Sequence, residues 1–262
     1  MRNKRAGKIW NTVGQFHKLL YQNNVGVDFI FPENPEFEKY DLVIIPSLYI
    51  ATDKLLQQIN DYVKKGGHVI MQFKSGFADE NSMVRPVLAP GPLRESAGFY
   101  YQEFTNFKEM SLKDDPFHVG EDQNKVNTWA EYIIPETAKP LAYYDHKYFE
   151  EYPAITINNF GKGSLLYEGT MVSDAIQEKI IRRELDRAGL LSPDQEIHWP
   201  LITKSGTNDN GNIIRYYYNY SSEPVNFVYP YSGGNELITN KKVANKETLL
   251  IKPWDLLIIE EK

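Results

Sequence analysis

The chain has 262 residues, 42% of them hydrophobic and 24% charged, with no cysteine and a net charge of −6. That supplies apolar material for one large domain or a medium and a small one, and it excludes disulfides, thiolate metal sites and cysteine nucleophiles. An acidic chain is a poor general partner for nucleic acid, and no run approaches roughly 18 consecutive apolar residues, so neither nucleic-acid binding nor a membrane-spanning helix is expected.

The start, "MRNKRAGKIWNTVGQFHKLL", is basic but lacks a continuous apolar stretch, so it is not read as a secretory leader and the expected location is the cytoplasm. Ile9, Val13, Phe16 and Leu20 instead recur at helical spacing and predict an amphipathic helix from about Ile9 to Asn23. "VGVDFIF" (25–31) is a β-rich run ended by Pro32. "DLVIIP" (41–46) is wholly apolar, the pattern of a parallel strand covered on both faces. In "TDKLLQQINDYVKKGG" the residues Leu55, Leu56, Ile59, Tyr62 and Val63 form one helical face, with Thr52 or Asp53 as cap and Gly66 or Gly67 at the left-handed end. "HVIMQF" (68–73) is a further buried strand. Helix, strand, strand, helix, strand at these spacings predicts a doubly wound parallel α/β sheet.

Beyond Gly76 the pattern loosens into a polar, proline-rich loop with a short helix near Leu93–Ala97, then short β runs "YYQEF", "KVNTWAEYI" and "KPLAYYD". "PAITINNFGKGSLLYEGT" reads as a hairpin turning at Asn159 to Gly163. The helix "SDAIQEKIIRRELDRAG" follows, with Ser173 as cap and Gly189 past its end. Leu190 to Pro193 is a linker. The remainder alternates strands ("NIIRYYYNY", "PVNFVYP", "ETLLIKP", "WDLLIIEE") with Asn/Gly turns, as a small all-β domain does. The expected domains are 1–190 and 194–262.

Few residues suggest chemistry. The turn Lys74-Ser75-Gly76 follows a buried strand, where one large group of α/β proteins carries a nucleophilic cysteine. Ser75 is the candidate here, but "FKSGF" lacks the flanking glycine of a nucleophile elbow, and His17, His68, His118, His146 and His198 are scattered. The acid pairs Asp79-Glu80, Asp114-Asp115, Glu121-Asp122 and Glu150-Glu151 read as solvated loops, because a glycosidase needs two carboxylates facing one sugar ring. His118 with Asp114, Asp115 or Asp122 has no diagnostic metal spacing. "GKG" (161–163) sits in a hairpin turn and not at a helix start, so it reads as a turn rather than a phosphate cradle. The tyrosine-rich strand 216–220 offers aromatic faces for a carbohydrate, although alternate tyrosines must point inward. The expectation is no catalytic residue, no cofactor and no metal.

Two stretches carry a resemblance. "VDFIFPENPEFEKYDLVIIPSLYIATDKLLQQINDYVKKGGHVIMQFKSGFADENSMV", continued by "PGPLRESAGF", and "YFEEYPAITINNFGKGSLLYEGT" resemble the trimerisation domain of family 42 glycoside hydrolases, the bacterial β-galactosidases. The tail "NYSSEPVNFVYP" with "ETLLIKPWDLLIIEE" is similar to their small C-terminal β-domain. The resemblance implies a flavodoxin-like or class I glutamine amidotransferase-like fold and self-association as a homotrimer. It also implies a non-catalytic role beside a barrel that hydrolyses terminal β-galactosides, in the same or a separate chain. It further implies that the strand ahead of the first helix is absent, as in a truncated or split reading frame or a cut domain. Segments 27–31 and 42–46 would then stand two strand spacings apart or pair directly.

Overall fold

The computed structural model describes the backbone of residues 6–261 and the side chains from Thr12 onward. It divides into two compact units. One takes the chain up to Gln15 together with Phe29–Leu190, the other Phe16–Asp28 together with Leu191 to the C-terminus.

Helix α1 (Ala6–Gln22) buries Phe16, Leu19 and Leu20, as the helical spacing of Phe16 and Leu20 requires; Ile9 lies outside the described side chains. The first unit continues through β1 (Leu42–Ile45), α2 (Asp53–Lys65), β2 (His68–Gln72), α3 (Arg94–Ala97), β3 (Phe99–Tyr100), β4 (Phe104–Thr105), β5 (Glu109–Leu112) and β6 (Val126–Glu131). It ends with β7 (Ile134–Pro135), β8 (Lys139–Asp145), β9 (Pro153–Phe160), β10 (Gly163–Glu168), β11 (Thr170–Val172) and α4 (Asp174–Arg187). Nine described strands make one mixed sheet in the order β1-β2-β10-β9-β8-β5-β6-β11, with β4 also on β6.

Only β1, β2 and β10 pair in parallel; the other pairings of this sheet are antiparallel. This corrects the expectation of a parallel sheet. A parallel neighbour needs a crossover of a dozen or so residues, usually a helix. Between β3 and β10 the described chain has strands and loops but no helix to carry such a crossover, so it meanders. Around the parallel strands the pattern is as expected. Val43, Ile45, Val69, Met71, Leu165 and Tyr167 share one face and one core with Leu55, Leu56, Ile59 and Val63 of α2. On the alternate face Gln177 of α4 reaches Glu168 at 2.6 Å.

Local signals explain the joints. The Thr52 hydroxyl accepts the Leu55 N–H at 3.1 Å, and Gly66 at φ +130° ends α2. The β9–β10 turn packs directly on that helix end. Lys162 N–H donates to the Lys64 carbonyl at 3.0 Å, and a Cβ on Gly163 would stand 2.1 Å from the Gly67 carbonyl oxygen.

Residues 25–31 do not form the expected strand. The segment carries no ladder, and Phe29 and Phe31 are 61% and 71% exposed. Among the described residues β1 is the terminal strand of its sheet and pairs with β2 alone, so neither of the two expected arrangements occurs there; the segment ahead of α1 lies outside the described residues. β-propensity is a preference for a pleated, half-buried surface, and it does not by itself make a strand where no ladder forms.

The second unit holds β12 (Leu201–Thr207), β13 (Ile213–Asn219), β14 (Val225–Val228), β15 (Gly233–Glu236), β16 (Lys241–Ala244), β17 (Thr248–Ile251) and β18 (Leu256–Glu261). They form an antiparallel sheet β12-β13-β18-β15-β16 and a β14–β17 ribbon around Ile197, Leu201, Tyr217, Tyr229, Val243, Ile251 and Ile259. Among the described residues no helix is long and apolar enough to cross a membrane.

Candidate functional site

The turn after β2 is sharp because two residues take left-handed backbone: Lys74 at φ +64° and Gly76 at φ +71°. A Cβ on Gly76 would lie 2.5 Å from the Pro90 carbonyl oxygen, so only glycine fits there. Ser75, between them, is completely buried. Its hydroxyl donates to the Gln72 carbonyl at 2.6 Å and accepts the Leu48 N–H at 3.0 Å. Both bonds go to main chain, so the hydroxyl anchors the turn and has no base beside it to activate it.

The strained residue is Lys74, and its main chain points at a buried acid. Its N–H donates to the Glu131 carboxylate at 2.7 Å, which also accepts Tyr167 Oη at 2.8 Å and Trp129 Nε1 at 3.2 Å. Burial pushes the Glu131 carboxyl up to about 7 against these donors. The Lys74 ammonium lies 3.7 Å from the centre of the Trp129 ring. A second buried acid, Glu168, accepts Gln72 Nε2 at 3.0 Å and Gln177 Nε2 at 2.6 Å, and burial pushes it too up to about 7. Both carboxyls are sealed from solvent, so they act as hydrogen-bond hubs tying β2, β6, β10 and α4 together.

Sequence reading overlooked Glu131 and Glu168. Each is a lone acid ending a strand directly after apolar residues, in "TWAEYI" and "LLYEGT", and that break in pattern was the available signal.

The other candidates are dispersed. His68 Nδ1 meets Ser164 Oγ at 2.8 Å. The Asp115 carboxylate accepts the N–H groups of Val119 and Gly120 at 3.1 and 2.8 Å, an Asx-type turn. Among the described residues no three His, Asp or Glu side chains gather to hold a metal. On β13, Tyr217 enters the core, while Tyr216 and Tyr218 remain half-exposed on the other face with rings 6.2 Å apart.

With this geometry in place, comparison with known proteins is informative. Residues 2–191 match the family model described as the β-galactosidase trimerisation domain. The chain belongs to that family. It is 35% identical over 158 residues to β-galactosidase BgaB of Geobacillus sp. (strain Y412MC61), covering 60% of this chain and 23% of that one. It is 28% identical over 245 residues to β-galactosidase LacZ of Heyndrickxia coagulans, covering 94% of this chain and 36% of that one. The crystal structure of β-galactosidase from Bacillus circulans sp. alkalophilus shares the fold at a TM-score of 0.82 and 24% identity, over 97% of this chain and 38% of that one. Gan42B, a GH42 β-galactosidase, does so at 0.80 and 19%, over 100% and 37%. The trimerisation-domain chain thus spans well under half the length of these relatives.

Proposed function

We propose that this chain is the self-associating, non-catalytic accessory region of a β-galactosidase, working in the cytoplasm. The observation that carries the reading is the match of residues 2–191 to the trimerisation-domain model in a chain that spans 36% of the H. coagulans relative. In this reading residues 1–190 are the oligomerisation domain, an amidotransferase-like α/β fold whose nucleophile turn is occupied by Lys74-Ser75-Gly76. Residues 194–262 are the accessory β-domain. The assembled state is a homotrimer, and hydrolysis of terminal β-galactosides belongs to a barrel outside this chain. None of its own residues is catalytic. The buried, main-chain-bonded Ser75 speaks against a serine hydrolase. Light scattering on the purified chain should give three times the monomer mass, and a chromogenic β-galactoside should not turn over. Turnover that copurifies with the chain and disappears on changing one of its acids would overturn the reading.

A further inference from the structure

The second unit keeps two tryptophans largely in solvent, Trp199 at 51% and Trp254 at 69% exposure. Of the two, Trp199 is held in place by its neighbours. It stands directly before β12, whose Leu201 pairs with Asn219 at the end of β13. Tyr220 follows, and its N–H donates to the Pro200 carbonyl at 3.0 Å. That register stacks the Trp199 and Tyr220 rings at 4° and 6.0 Å between centroids. The Tyr220 side is fixed in turn by buried Asn219, whose Nδ2 donates to the carbonyls of Glu223 at 2.7 Å and Lys252 at 3.0 Å, while its Oδ1 accepts the Ser221 N–H at 3.0 Å.

Trp199 also walls a cleft of about 860 Å³, together with Glu196, His198, Asn226, Phe227 and Val228. The volume is that of a ligand site, roughly 300–1,000 Å³, and the lining is of the same kind, mostly apolar with a few polar groups. Those polar groups are the Glu196 carboxylate, the His198 imidazole, the Asn226 amide and the Ser192 hydroxyl. No lysine or arginine lines the cleft, so it lacks the cationic partner that a phosphate or a carboxylate would call for.

We propose that this cleft binds a galactosyl residue, stacked on Trp199, with hydroxyls taken by Glu196, His198 and Asn226. A pyranose ring offers an aromatic face its C–H groups and keeps its hydroxyls at the rim. Galactose suits a single flat ring because its axial O4 leaves H3, H4 and H5 together on the opposite face. The choice of galactose among the hexoses rests on reading the chain as part of a β-galactosidase. The site lies within the second unit.

The test is saturation-transfer NMR on the full chain with methyl β-D-galactopyranoside, with methyl β-D-glucopyranoside as the comparison sugar. Transfer should be strongest to H3, H4 and H5 of the galactoside and weaker throughout for the glucoside. Trp199→Ala should weaken binding about tenfold, the scale of one lost stacking contact. Trp254→Ala, which changes a tryptophan outside the cleft lining, should leave it unchanged. If Trp199→Ala does not fold, Asn226→Ala at an exposed strand position takes its place, with a smaller loss expected. No transfer, equal transfer to both sugars, or galactoside binding that survives the cleft variants would each overturn the site. Light scattering on the same samples keeps the two ideas separable. An intact trimer without sugar binding counts against this site alone, and a monomer that binds galactoside counts against the assembly reading alone.

Discussion

Ser75 shows how far burial changes the meaning of a side chain. On an exposed turn Ser75→Ala would alter stability by roughly 0.5 kcal/mol or less. Here the hydroxyl serves the Gln72 carbonyl and the Leu48 N–H, and its loss leaves both main-chain groups buried without that partner. The expected cost is about 1–3 kcal/mol in urea unfolding, with no labelling of the native protein by a fluorophosphonate. Glu131 and Glu168 make a second prediction. Their carboxyls titrate near 7 in the fold and at the ordinary carboxylate value when unfolded, so between those values the folded state binds more protons. Their contribution to stability is therefore complete below the unfolded value and is lost as pH rises through about 7. Unfolding free energy should fall between about pH 5 and pH 8, on the order of 1–3 kcal/mol for each group. Glu168→Gln should remove part of that slope. Its amide can donate to the side-chain oxygen of either neighbouring glutamine once that glutamine turns its own amide over, and can still accept from the other. An unchanged slope in this variant would show that Glu168 is not one of the titrating groups.

At the scale of elements, the segments legible in sequence were those whose own residues settle their conformation. Thr52 and Ser173 cap α2 and α4, and Gly66 ends α2, because each satisfies a local backbone requirement. The apolar run of β2 could be read because both its faces are covered, and that of β1 because Val43 and Ile45 enter the core. Strands that depend on a distant partner were not legible in the same way. β5, β12, β15 and β16 have little intrinsic pattern and exist through their ladders, whereas 25–31 has the pattern and lacks the ladder. The acids of the buried cluster were hidden for the same reason, since Lys74 and Glu131 meet only when the sheet is assembled. Hydrogen exchange tests this distinction. Amides of 26–31 should exchange well before those of β2 and β10 at the buried centre of the sheet, despite the higher β-propensity of Val27, Phe29 and Phe31. Equal protection would mean that in solution the segment has found a partner strand, for which the open edge of β1 is the natural template.

For the whole molecule, self-association needs a surface, and the first unit carries an exposed apolar one. Tyr49, Ile50, Met83, Val84, Val87 and Phe104 are all exposed. They belong to one cluster of loops: Ile50 bridges to Ala78 and Ala78 to Val84, while Phe77 lies against both Tyr49 at 5.3 Å and Phe104 at 5.8 Å. The cluster follows the C-terminal ends of β1 and β2, so the rigid parallel strands fix it from below. Contiguous apolar surface of this kind marks an interaction face, whereas scattered apolar residues do not. If the chain assembles through it, placing a carboxylate there desolvates a charge in every copy of the interface. Val84→Asp combined with Val87→Asp should therefore lower the mass measured by light scattering toward the monomer. Both positions are exposed, so each substitution by itself should change folding stability by no more than about 0.5 kcal/mol. A circular dichroism melt at the same concentration separates the two effects: a lost assembly with a cooperative melt retained is the expected result. A double variant that keeps its full mass would exclude this face and move the assembly surface elsewhere on the molecule.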